Sequence, residues 1–320
     1  MYLTKKNLIL ALVFVVLAFS IALVLTLTEK KDNVEEITSD GKDITKEEYI
    51  YKEDLLNIGY SVDEINTMER TLSNTDVKQY LLYKKYDNLV SFISSPYFKA
   101  EHIDRYEDYY SKHNDYSFND IVLYVEIGLD YDFYTNMVPA DIEKGKLILV
   151  NKYYYLDKDF DANLEALDKE YGSGSLNIEA AQHFREMVDA AKEDEIKLKS
   201  VSAYRSYSTQ SSLYNKYVNK DGEEKADTYS ARPGHSEHQT GLAVDINTAS
   251  TSAHFENTKE YEWLINNSYK YGFALRYLKD KEFITGYKYE PWHFRYFGEE
   301  VATKLHELDI TYEEYLIIHK

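Results

Sequence analysis

Twenty consecutive residues, Leu8 to Leu27, carry no charge and include only Ser20 and Thr26 among polar types. A helix of that length, at about 1.5 Å rise per residue, spans roughly 30 Å, the hydrocarbon thickness of a bilayer. Lys5 and Lys6 precede the run and no acidic residue occurs before Glu29, so the positive-inside bias predicts a cytoplasmic tip and an extracytoplasmic body. A cleaved signal peptide is the competing reading. The run exceeds the ~7 to 15 residues of a signal-peptide core and no A-x-A-like site follows it, which favours an uncleaved, single-pass anchor in the cell membrane.

The chain has no cysteine. That excludes a lipoprotein attachment, disulfide frameworks and thiolate nucleophiles, so any metal must be held by His and carboxylate ligands. The 320 residues suffice for about two domains. With 37 basic against 56 acidic residues, net −19, and no local basic patch, nucleic acid is not an expected partner.

Beyond residues 1–28, the tip and anchor, residues 29–48 are charged and poor in apolar types and read as a solvated stalk. A Tyr-rich region, 49–142, carries helix-start signals: Ser61 with Glu64, Ser73 with Asp76 and Ser117 with Asp120. The similar stretches beginning at Tyr60 and Tyr116 hint at a repeated helical unit. Its tyrosines suit core and rim packing, or a face for a wall or protein partner.

The texture changes near 143, where a second domain, 143–320, is expected. Leu147 to Val150 reads as a short strand. Asn177 caps a predicted helix with Ala181, Phe184, Val188 and Ala191 on one face, and Ile196 to Ser200 alternates like a strand. Ser208 starts a predicted helix through Val218, and another runs from about Thr258 to Tyr271, stopping at Gly272 before a β-like Phe273 to Tyr277. The fold class is α+β.

The segment Pro233-Gly234-His235-Ser236-Glu237-His238-Gln239-Thr240-Gly241-Leu242-Ala243-Val244-Asp245-Ile246 is the most informative. In a strand from Leu242 to Ile246, the apolar Leu242, Val244 and Ile246 share one face, while Ala243 and Asp245 share the other. A carboxylate set among apolar neighbours needs a partner, and a divalent metal shared with an imidazole supplies one. His235 and His238 could form a ligand pair by spacing, although Pro233 and Gly234 favour His235 as a supporting or rim group. Asp245 paired with Arg205 is the dull alternative, and it leaves Glu290 and His293 unexplained. In Tyr289-Glu290-Pro291-Trp292-His293-Phe294-Arg295-Tyr296, Pro291 excludes a helix interior, so a turn must aim Glu290 and His293.

Three pieces, Ser202-Ala203-Tyr204-Arg205-Ser206, the Ser236-Glu237-His238 to Asp245 segment and Glu290-Pro291-Trp292-His293, together resemble the VanY-like D-alanyl-D-alanine carboxypeptidases of peptidase family M15. The resemblance covers roughly residues 147 to 310. It implies a zinc peptidase fold with a small antiparallel sheet and helices, shared with the Hedgehog signalling domain. It also implies one Zn2+ held by His238, Asp245 and His293, Glu290 as general base, and Arg205 as the cation facing the developing oxyanion. Gln210 and Ser236 are implied as substrate-positioning groups. Ala203 stands where relatives commonly have Gly, and Leu278 where an Arg-Tyr-Pro run is common, departures that touch loop shape and no ligand.

The function expected from this resemblance is removal of the C-terminal D-alanine from peptidoglycan stem peptides, as a DD- or LD-carboxypeptidase at the outer face of the membrane. A peptidoglycan endopeptidase is the enzymatic rival. A non-catalytic zinc-containing wall-binding module is the other, disfavoured by the presence of Glu290 and Arg205.

Overall fold

The computed structural model describes residues 50–320. The Leu8–Leu27 run and the 29–48 stalk lie outside the described residues. Among the described residues no helix is long and apolar enough to cross a membrane.

The first part is helical, with α1 (Lys52–Ile58), α2 (Val62–Thr71), α3 (Ile103–Lys112) and α4 (Phe118–Ile127) joined by shorter turns. The predicted caps hold. Ser61 accepts from the Glu64 amide while Glu64 reaches back to the Ser61 amide, Ser73 and Asp76 form the same box, and Ser117 caps α4. Each side chain thereby satisfies amides that the first helical turn leaves without partners. The two similar stretches start α2 and α4, both ten residues long. Their buried faces meet in one core that includes Leu55, Ile65, Met68, Phe92, Tyr106 and Val125.

The second part is built on a four-stranded antiparallel sheet in the order β1 (Leu198–Ser202), β2 (Ala243–Thr248), β4 (His293–Tyr296), β3 (Phe273–Leu275). One sheet face packs on α5 (Ile178–Glu193), with Val244, Ile246, Phe294 and Phe184 in a single apolar core. Burying a side chain of this size contributes roughly 1.5–3 kcal/mol, which commits the opposite face of β2 and β4 to the site. Helices α6 (Tyr207–Asp221) and α7 (Lys259–Asn267) flank the sheet, and α8 (Glu299–Leu308) and α9 (Tyr312–Ile318) close the chain over a smaller core around Phe297 and Leu305. The architecture is α+β, as expected.

Two expectations need correction. Helix α6 starts at Tyr207 with Ser206 as its cap and runs to Asp221, earlier and longer than Ser208 to Val218. Leu147 to Val150 is not a strand. Its side chains do alternate, Ile148 and Val150 into the sheet core and Leu147 and Leu149 toward the terminal helices. Its carbonyls, however, meet side chains and no neighbouring strand: Arg295 donates to the Ile148 carbonyl and Tyr312 to the Leu147 carbonyl. Leu147 closes a 3-10 turn that begins at Ile142, and Ile148 to Val150 follow without strand pairing, so period-two burial without a backbone ladder makes no strand here.

Residues 50–320 knit into one compact unit. Tyr124 meets Phe283 edge-on, and the Tyr134 and Tyr287 hydroxyls lie 3.2 Å apart, so the helical part rests on the sheet-bearing part.

Candidate active site

Register brings the first two candidate ligands together. Asp245 on β2 pairs directly with His293 on β4, and both point away from the apolar core because Val244 and Phe294, also paired, point into it. His238 arrives from a turn that ends at Gly241, where φ is +70° and an added Cβ would lie 2.8 Å from Leu164 and 2.9 Å from the Asn177 amide nitrogen. Only glycine fits that corner without strain. The Arg205 amide donates to the His238 carbonyl at 3.1 Å, and His238 Nδ1 lies 2.7 Å from the Ala203 carbonyl. The two sequence motifs are thus tied to each other, and the departure at Ala203 leaves this contact in place.

Donor atoms of His238, Asp245 and His293 all lie within 4.8 Å of one another. Asp245 Oδ1 is 3.5 Å from His238 Nε2 and 3.3 Å from His293 Nδ1. It is buried with no hydrogen-bond partner among the described residues, an arrangement that costs several kcal/mol unless a cation completes it. With His238 Nδ1 held by a carbonyl, its Nε2 lone pair is the one that faces the cluster. Two imidazoles and one carboxylate are the N/O donor set that suits zinc, and they fit it.

The pKa directions agree. Burial opposes ionisation of Asp245, yet the neighbouring His238 and His293 hold its carboxyl well below the usual range. Burial pushes the His238 imidazole down. His293 goes the other way: burial would lower it, but contacts with Asp245 and Glu237 lift it to about 9, so this point in the fold favours positive charge. Glu290, 3.5 Å from His293 Nδ1, is raised to about 7, chiefly by burial.

These groups line a cavity of about 360 Å³ together with Arg205, Ser236, Tyr217, Tyr229 and Trp292. Arg205 is braced from behind, Nη1 donating to Gln210 Oε1 at 2.8 Å and Nη2 to Ser202 Oγ at 3.0 Å. Gln210 does not line the cavity. It is fully buried, with its amide nitrogen donating to the Ala231 carbonyl at 2.6 Å, so it touches Arg205 and not the open space. Ser236 does reach the wall. His235 stands apart from the ligand cluster, its Nδ1 at 2.7 Å from the Asn151 carbonyl and its ring against Tyr134.

Sequence reasoning missed Glu237, Arg276 and Arg295, all fully buried, with Glu237 also bordering the cavity. One signal was present: Arg295 is two residues after His293 on a strand, hence on the same face, where a guanidinium must find a carboxylate. It finds Glu237 at 3.0 Å. Trp292 also went unassigned, and it stands partly exposed on the cavity wall.

Residues 173–299 match the family described as VanY, D-alanyl-D-alanine carboxypeptidase. YodJ of Bacillus subtilis (strain 168), a carboxypeptidase by name, is 42% identical over 180 residues, 53% of this chain and 66% of that protein. The D-alanyl-D-alanine carboxypeptidase of Enterococcus faecalis (strain ATCC 700802 / V583) is 36% identical over 57% of this chain and 69% of its own length. Among solved structures, the LdcB LD-carboxypeptidase aligns with a TM-score of 0.54 at 39% identity, covering 57% of this chain and 90% of that one. With these similarities added to the His238, Asp245 and His293 cluster, the chain belongs to the VanY family of D-alanyl-D-alanine carboxypeptidases, which are zinc-dependent hydrolases.

Proposed function

We propose that this protein removes the C-terminal D-alanine from peptidoglycan stem peptides at the outer face of a membrane, to which the Leu8–Leu27 segment anchors it. The observation that carries the reading is the convergence of His238, Asp245 and His293 on one point of a cavity whose wall also presents Glu290 and Arg205. A cavity of about 360 Å³ lies at the small end of ligand sites, a size suited to a peptide terminus.

His238 Nε2, Asp245 Oδ1 and His293 Nδ1 would hold the ion. Zinc bound there supplies Lewis acidity and lowers the pKa of water from 15.7 to about 7. Without the ion, burial lifts the Glu290 carboxyl to about 7; the charge of a bound dication acts the other way and favours the carboxylate. The Glu290 carboxylate accepts the proton of the attacking water and returns it to the nitrogen of the departing alanine as the amide C–N bond breaks. Arg205, fixed by Gln210 and Ser202, keeps N–H donors for the oxygen on which negative charge develops.

Two relatives differ in the bond their names imply, one a D-alanyl-D-alanine and one an LD-carboxypeptidase. Incubating the purified protein with synthetic penta- and tetrapeptides tests both: alanine release from either supports the reading and assigns the bond. Cleavage of an internal bond would make it an endopeptidase, and no release from zinc-loaded protein would end the exopeptidase reading.

A further inference from the structure

Four ionisable side chains, Glu237, Arg276, Arg295 and Glu313, lie almost wholly buried next to the ligand cluster, Glu237 bordering the cavity itself. Charges at that depth persist only when paired and hydrogen-bonded. Arg276 sets its guanidinium fork on Glu313, with Nη1 at 2.9 Å and Nη2 at 2.6 Å from the two oxygens, and turns its Nε to Glu237 Oε1 at 2.8 Å. Arg295 Nη1 reaches the same Glu237 oxygen at 3.0 Å. Asn151 donates to Glu313 Oε1 at 3.0 Å. Two cations and two anions balance.

One end of this chain is open. Glu237 Oε2 and His293 Nε2 lie 3.5 Å apart, and neither has a hydrogen-bond partner among the described residues. A neutral imidazole that offers Nδ1 to a cation carries its proton on Nε2. The acceptor facing that proton is Glu237.

We propose that Glu313, on α9 and outside the family-matched residues 173–299, is a positioning residue of the metal centre. Through Arg276 it holds Glu237 where it accepts the Nε2 proton of His293 and so aims Nδ1 at the ion. The inference rests on the zinc reading of the site. Neutralising Glu313 leaves two guanidiniums facing one carboxylate, which frees Arg276 to draw Glu237 away from His293 and leaves excess positive charge close to a cation site.

The test uses purified full-length protein in detergent, with Glu313→Gln and, in parallel, Glu237→Gln, both close in shape to the native side chain. Two readouts are compared: zinc affinity by chelator competition, and the visible d–d spectrum of the cobalt(II)-loaded protein, which reports ligand geometry. The proposal expects Glu313→Gln to bind zinc roughly tenfold more weakly, at the low end of the effect of outer-shell partners, with an altered cobalt spectrum. Should that variant fail to fold, the same pair of changes is required of Glu237→Gln. Zinc affinity within twofold of the unaltered protein, or weaker binding with an unchanged spectrum, overturns the proposal. An unaltered protein that binds no zinc overturns the metal reading itself, a result separable from the other two.

Discussion

On the proposed mechanism, replacing Glu290 with Gln removes the proton acceptor but leaves His238, Asp245 and His293 in place. Peptide turnover should therefore fall by ~10²- to 10⁴-fold while zinc content, measured by elemental analysis, stays at that of the unaltered protein. A second residue-scale prediction concerns Lys152, which is buried against the rings of Phe133, Tyr134 and Tyr287 and donates to the Asp227 carbonyl. Burial lowers its ammonium from 10.5 to about 8. Between those pH values the unfolded chain binds more protons, so this residue's contribution to stability rises with pH there and is flat below pH 8. In urea unfolding, any stability advantage of Lys152→Met at pH 7 should shrink by pH 10; an unchanged difference would contradict this. The cluster of His238, Asp245 and His293, with Glu290 beside it, was legible because these residues lie in two short motifs. Arg276 was not, because its partners Glu237 and Glu313 lie 39 and 37 residues away and only folding brings them together.

Helix caps were the most readable elements, since a cap is local chemistry written within four residues. Thr311 and Glu314 form a further box at the start of α9, with Thr311 fully buried. Ser61→Ala should cost about 1 kcal/mol, and Thr311→Ala up to about 2 kcal/mol because its amide partners are shielded from water; urea denaturation midpoints check both. Strand β1 was readable from the alternation of Ile196, Leu198 and Ser200, although it runs two residues later, from Leu198 to Ser202. The Leu147–Val150 segment shows where alternation misleads, because burial on two sides came from two different cores and the backbone found side-chain partners instead of a strand.

The helical part is fastened to the peptidase part at the wall of the site. Tyr287 borders the cavity and meets Tyr134, while Lys152 and Arg232 both pack on the Tyr134 ring. Deleting residues 49–139 should lower the melting temperature by roughly 10 °C, the size expected for losing several kcal/mol in a unit of this length, and should slow peptide hydrolysis. Calorimetry of the truncated chain checks it, and an unchanged transition would show that the two parts are independent. The pairing of Asp245 with His293 across neighbouring strands carries one more consequence. Interstrand hydrogen bonds fix those two positions and the Arg205 amide holds the turn that carries His238, so the fold should stand without its ion, unlike a zinc finger that collapses when stripped. Dialysis against a chelator should silence the protein yet leave its near-ultraviolet circular dichroism intact, and returning the ion should restore function without any refolding step.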